Sequence, residues 1–323
     1  MRTAPTATKG NSRSTAGTRT LHFVPPNLTA FEPLKPLFPS ADVHTLLWIG
    51  GLFDTLLSVA YPLEIAQALP ATWSLATASL GSAGKSWGVG SIAQDAEDIA
   101  KIVAYFRTLR PGGKIVLMGH STGCQDSMEH LVGPPSPHRP PVDGMILQAP
   151  VSDREAMASH LPEALLHEAN QLALKMCREG HEKDALPYRL TKSLFGRVAV
   201  TARRWVDLAT PGGADDYFSS DLSEERLQNT FGRLPARTPV LVLYSGSEEN
   251  VPSTVDKDAL VRRWIGVIEA GGGKVDGYHG SIVPEATHNL NGCPESIVRD
   301  LVQRVVGFVG RLDNGDFHTE SKM

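Results

Sequence analysis

Cysteine is scarce in this 323-residue chain, which has only Cys124, Cys177 and Cys293. Three scattered thiols build neither a disulfide framework nor a zinc site, and no His/Asp/Glu cluster has metal-ligand spacing. The expectation is a reducing, cytoplasmic compartment and no metal or other cofactor. Charge of one sign is not in excess either. A net charge of -4 argues against a polyanion-binding surface, so nucleic acid is not an expected partner. Apolar runs stay shorter than a membrane span, and the N-terminus lacks an apolar signal-peptide core, so no membrane partner is expected. What remains is a chain whose 41% hydrophobic content suffices for one large domain, or one domain with a lid.

Residues 1–20 are rich in Ser and Thr, carry only positive charges and lack apolar periodicity. They read as a disordered tail, with a transit peptide as the alternative. Residues 313–323 read as a C-terminal tail ending in Ser321-Lys322-Met323. That tripeptide is similar to the S-K-L peroxisomal address with Met for Leu, giving a peroxisomal alternative.

Between the tails, strand-like and helix-like segments alternate from about residue 42. Val43 to Ile49 is an apolar run followed by Gly50-Gly51, suited to a buried parallel strand and a tight exit. Thr72 to Ser79, Ile115 to Met118, Met145 to Ala149, Pro239 to Tyr244 and Val275 to Ile282 read as further strands. Ser91 to Leu109 carries apolar residues at helical spacing and stops at Pro111-Gly112-Gly113, and a last amphipathic helix runs from about Pro294 to Leu312. This alternation predicts an α/β fold with a doubly wound, mostly parallel sheet over residues 21–312. Residues 151–235 break the rhythm. Glu155 to Glu179 and Leu194 to Asp207 read as helices, and the segment reads as a helical lid over the strand C-terminal edge, the alternative being a separate helical domain.

The segment Lys114 to Gln125, KIVLMGHSTGCQ, carries the chemistry. Gly119-His120-Ser121-Thr122-Gly123 is a G-x-S-x-G nucleophile elbow in its required context, a strand before and a helix after. A serine nucleophile needs a general base, an orienting carboxylate and oxyanion donors. Among the 11 histidines, His288 has the right position, in the loop between the last strand and the closing helix. His120 is expected to be structural, pointing away from Ser121 by strand alternation. The acid is expected after the strand PVLVLY. Glu248, three residues before Val251-Pro252, is preferred over its neighbour Glu249. Asp153 is a third candidate, with a helix N-cap as its bland role. The backbone N–H of Thr122 and of Leu52 are the expected oxyanion donors. Gly81 to Ser86 ends like a phosphate-binding P-loop, but Ser79 stands where its first glycine is required.

These segments, together with Leu28 to Glu32, Ala149 to Glu155, Val255 to Leu260 with Arg263-Trp264, and Thr287-His288-Asn289, resemble the fungal siderophore esterases, a branch of the α/β-hydrolases. They span most of residues 28–310 in order. The resemblance implies Ser121 as nucleophile, His288 as base and the Glu248 position as acid, with Glu where Asp is usual. It implies a small-molecule siderophore ester of the fusarinine type as substrate, its iron carried as cargo and released when the ester bonds are cut. A general carboxylesterase, lipase or thioesterase is the alternative, and a non-catalytic ligand-binding protein on the same fold is the third reading. The acidic segment Ala214 to Asp221, with Glu224 and Glu225, reads as a solvated lid turn with N-capping aspartates; if it lines the pocket mouth instead, it would attract ammonium groups and favour a free-amine ester over its acetylated form.

Overall fold

The computed structural model describes residues 19–34 and 42–318. Eight strands form one sheet: β1 (Thr20–Val24), β2 (Leu28–Glu32), β3 (His44–Ile49), β4 (Trp73–Ser79), β5 (Ile115–His120), β6 (Gly144–Gln148), β7 (Val240–Ser245) and β8 (Ser281–Val283). Their order is β1-β2-β4-β3-β5-β6-β7-β8. The pairs β1–β2 and β2–β4 are antiparallel, and the rest of the sheet is parallel. From β3 the chain crosses to β4 on one side and then returns to β5 on the other. That reversal opens a crevice at the C-terminal ends of β3 and β5, the usual ligand position in such sheets.

Side-chain alternation sorts the strands onto two faces. Leu46, Trp48, Val116, Met118, Leu241 and Leu243 pack against α1 (Tyr61–Ala68) and α10 (Glu295–Asn314). On the other face, Leu47, Ile49 and Leu117 meet α2 (Ile92–Leu109). Further along that face, Met145, Leu147, Val240 and Val242 meet α3 (Thr122–Val132) and α9 (Lys257–Ala270). Both faces are covered, so the central strands are uniformly apolar.

Between β6 and β7 lie α4 (Asp153–His160), α5 (Glu163–Arg178), α6 (Tyr188–Phe195), α7 (Ala202–Ala209) and α8 (Glu224–Thr230). The helix expected over Glu155 to Glu179 is two helices. Pro162 holds its backbone extended at the N-cap of α5, and Leu161 before it is extended too. The helix expected over Leu194 to Asp207 is also corrected, because Gly196 ends α6 at φ 57° and Thr201 caps a new helix. A core of their own, including Met157, Ala169, Leu190, Val200 and Trp205, holds α4 to α7 together with Trp87, while Leu227 of α8 packs into the core beside α9. The strand expected over Val275 to Ile282 shrinks to β8. The Asp276 carboxylate accepts the N–H groups of Tyr278 (3.0 Å) and His279 (3.1 Å), folding a turn into that segment.

Both tails differ from expectation at their inner ends. Thr20 belongs to β1, α10 runs on to Asn314, and Phe317 is buried against Phe308. The C-terminal tripeptide and residues 1–18 lie outside the described residues. Among the described residues no helix is long and apolar enough to cross a membrane.

Candidate active site

The turn from β5 into α3 holds Ser121 at φ 54° and ψ -127°, a conformation that non-glycine residues rarely adopt. The neighbours explain why glycine is required on both sides. A Cβ on Gly119 would lie 2.3 Å from the Gly123 carbonyl oxygen, and one on Gly123 would lie 2.3 Å from that of Ile49. The strained serine therefore stands at the sheet edge, at the N-terminus of α3.

His288 comes from the loop between β8 and α10. Its Nε2 lies 2.8 Å from Ser121 Oγ, and its Nδ1 lies 2.8 Å from Glu248 Oε2. A carboxylate can only accept, so Nδ1 carries the proton and Nε2 is free to receive one from Ser121. Glu248 follows β7 and is buried. Burial works to raise its carboxyl, but the His288 bond and charge and the donors of Asn250 outweigh it and hold it below the usual carboxylate range. Burial likewise pulls His288 down, but the Glu248 bond and charge, with Glu249 and Asp54, leave it above the ordinary histidine value.

Glu249, the rival acid in the sequence, is also part of this arrangement. Its Oε2 accepts the backbone N–H of His288 at 2.9 Å. Asp153 makes no bond to His288. Ser152 rather than Asp153 caps α4, accepting the Glu155 N–H, so the N-cap role considered for Asp153 falls away. The Asp153 carboxylate accepts instead from Gln125 Nε2 at 2.8 Å.

His120 is buried, as a structural residue should be, but it belongs to the floor of the site. Its ring packs 5.0 Å from that of His288 and stacks on Trp48. Burial, then the neighbouring His288, push its pKa down to about 4, so it stays neutral beneath the relay. Gln148 Oε1 accepts from His120 Nδ1 (2.5 Å) and from the Tyr61 hydroxyl (2.8 Å), while Gln148 Nε2 donates to the His288 carbonyl (3.3 Å). Sequence reasoning missed Gln148 and Asn250. Asn250 could have been suspected from its position two residues after Glu248, where its N–H (3.1 Å) and Nδ2 (3.0 Å) both donate to Glu248 Oε1.

The β3 exit loop approaches the serine closely. A Cβ on Gly51 would lie 2.6 Å from Ser121 Cβ, so only glycine fits. Asp54 Oδ2 takes the Gly51 N–H at 2.9 Å, fixing the turn that carries Leu52. Leu52 joins Ser121, His288, Asp153, Met157 and Phe195 in the lining of a cleft of about 550 Å³. The acidic segment 214–221 is absent from that lining. Tyr217 and Phe218 are buried in the core, Asp215 pairs with Arg204, and Asp216 and Asp221 pair with Arg154. The segment therefore does not line the pocket mouth: Arg204 and Arg154 hold Asp215 and Asp216 in the interior, while Asp221 stays exposed. Among the described residues no group of His, Cys, Asp and Glu has the arrangement of a metal site.

A serine on a strand–helix elbow, with a histidine and a buried carboxylate at the same edge of a mostly parallel sheet, defines an α/β hydrolase, and the chain is a carboxylic ester hydrolase of that fold. Solved structures agree on the architecture. The siderophore hydrolase EstB from Aspergillus fumigatus is similar at 34% identity and a TM-score of 0.78, covering 91% of this chain and 97% of that one. A thermostable carboxyl esterase from Bacillus coagulans shares the fold at 14% identity and a TM-score of 0.60, covering 91% and 98%.

The chain belongs to the family described as protein of unknown function (DUF1749), whose profile matches residues 10–310. Fusarinine C esterase sidJ of Aspergillus fumigatus is 35% identical, covering 90% of this chain and 95% of the relative. Esterase AN6793 of Emericella nidulans is 34% identical, covering 93% and 94%. The resemblance to the siderophore esterases and the α/β-hydrolase fold expected from the sequence are both borne out.

Proposed function

We propose that the protein is a serine esterase that hydrolyses the ester bonds of ferric fusarinine-type siderophores, releasing iron inside the cell. The observation that carries the catalytic reading is the continuous relay from Ser121 Oγ through both ring nitrogens of His288 to Glu248. The siderophore as substrate is supported by relatives that cover nine-tenths of the chain.

In this reading His288 Nε2 takes the Ser121 proton as Oγ attacks the ester carbonyl carbon. Glu248 holds the ring tautomer and stabilises the imidazolium that forms. The backbone N–H groups of Leu52 and Thr122 receive the developing oxyanion, each worth about 3–4 kcal/mol in comparable sites. His288 then gives its proton to the departing alkoxide oxygen as the C–O bond breaks. A water molecule, deprotonated by the same nitrogen, attacks the acyl-serine and restores Ser121. The helices at 153–230 act as a lid, since α4 and α6 both contribute side chains to the cleft. Iron enters and leaves as cargo of the substrate and takes no part in bond cleavage.

The purified protein, incubated with a panel of ferric siderophores and followed by mass spectrometry, should produce ring-opened oligomers and then monomeric hydroxy acids from fusarinine-type rings, one water added per ester cut. Turnover of simple p-nitrophenyl esters with every siderophore left intact would favour a general carboxylesterase instead.

A further inference from the structure

Asp153 is a carboxylate without an assigned task. It lines the same cleft as Ser121 and His288, on the first turn of α4. Its helix is capped by Ser152, so capping does not account for it. Among the described residues no ion pair joins it to a lysine or arginine, and the donor on its Oδ2 is neutral, Gln125 Nε2 at 2.8 Å. That bond fixes the carboxylate from the α3 side, and the glutamine is itself held through a second bond from Nε2 to the Val151 carbonyl at 3.0 Å. Among the described residues the cleft lining holds no lysine or arginine, and Asp153 is its one carboxylate; otherwise it is apolar, polar neutral or histidine. A rigid carboxylate with no cationic side chain beside it in the reactive cleft is complementary, once ionised, to a cationic substrate group.

We propose that Asp153 is a specificity-determining residue that takes an ammonium group of the ester substrate. The inference rests on the esterase reading above and deepens it. The chemistry selects esters with a protonated amine over those whose amine is acylated, and over anionic esters. The electrostatic surroundings agree. Burial, then the Asp215 charge, push the Asp153 pKa up to about 7, with Arg204 and His288 opposing. A carboxyl destabilised as an anion gains most from an incoming cation. The titratable groups around it are His288, Arg204, Asp215 and the buried Asp126 of α3 from neighbouring segments, with His160 lining the cleft on its own helix.

The test uses ethyl esters of β-alanine and 4-aminobutanoate, each free and N-acetylated, at about pH 8, where such alkylamines are cationic. The two chain lengths sample different distances between ester and amine. Wild-type enzyme should favour the better-fitting free amine by roughly tenfold in kcat/KM at low salt, as a bond to a charged group provides. Asp153→Asn should bring the ratio close to one, and Asp153→Glu should restore part of it. Calorimetric binding of the same esters to Ser121→Ala, with and without Asp153→Asn, reads the same ratio without turnover. An esterase that fails would then be distinguishable from recognition that fails. A wild-type ratio at or below one for both chain lengths, or a ratio unchanged in Asp153→Asn by both measurements, would overturn the proposal.

Discussion

Glu248 and Glu249, adjacent in sequence, both bond His288 and do so at different atoms. Glu248 receives the ring Nδ1 and Glu249 the backbone N–H. One orients the imidazole and the other fixes the loop that carries it. The two carboxylates therefore differ in consequence. Glu248→Gln loses the acceptor charge opposite the forming imidazolium, and kcat should fall by roughly a thousandfold to ten-thousandfold. Glu249→Gln keeps an oxygen able to accept the N–H, and its loss should stay within about tenfold. Steady-state kinetics of the two variants on one ester separates them, and the reverse ranking would make Glu249 the acid.

The acid limb of the pH profile reports the same pair. In the proposed mechanism His288 is a base only when neutral, and its pKa is raised above the ordinary 6.5 despite burial. In wild type kcat/KM should therefore fall as pH drops through a value above 6.5. Glu248→Gln removes the strongest raising partner and leaves burial, which lowers the pKa. Its residual activity should show a limb moved to lower pH, and a limb that stays in place would detach Glu248 from His288.

Gly51 tests the fit of the β3 exit loop against the elbow. Its added Cβ would stand 2.6 Å from Ser121 Cβ, between two backbone segments that cannot both hold their positions. Gly51→Ala should lower kcat by roughly a hundredfold through displacement of the serine or of the Leu52 N–H. A folded variant with wild-type kcat would show that the loop yields freely.

Arg204 is a stability test away from the relay. It is fully buried, with Nη1 on both Asp215 oxygens at 2.7 and 2.8 Å and Nε on the Trp87 carbonyl at 3.2 Å. Arg204→Leu strands Asp215 in the interior and should cost about 3–5 kcal/mol. Denaturant unfolding measures the loss, and Arg204→Leu with Asp215→Leu should recover much of it.

The sequence was legible where burial makes it uniform. The strands ending at Ile49 and Ser79, and those before Ser121 and after Asp143, are covered on both faces and read as apolar runs. β1 was missed because its pattern is inverted. Leu21 and Phe23 point to solvent, while His22 is buried on Glu32 at 3.1 Å. The elbow was legible because steric demand restricts it to glycine on both sides of Ser121. The choice between Glu248 and Glu249 was not, since it depends on the path of a loop whose two acids converge on one histidine. The acidic stretch at 214–221 misled for a related reason. Its charges suggested solvent, but Arg204, 11 residues away, and Arg154, 62 residues away, bury Asp215 and Asp216 and leave Asp221 exposed.

The central claim is that Ser121 is the nucleophile, and covalent labelling tests it most directly. Wild-type protein treated with a fluorophosphonate should gain the mass of one phosphonyl group, mapped by peptide sequencing to Ser121, with loss of esterase activity in proportion to labelling. Ser121→Ala should remain unlabelled and inactive while unfolding like wild type. Labelling at another residue, or ester hydrolysis by Ser121→Ala near the wild-type rate, would contradict the account.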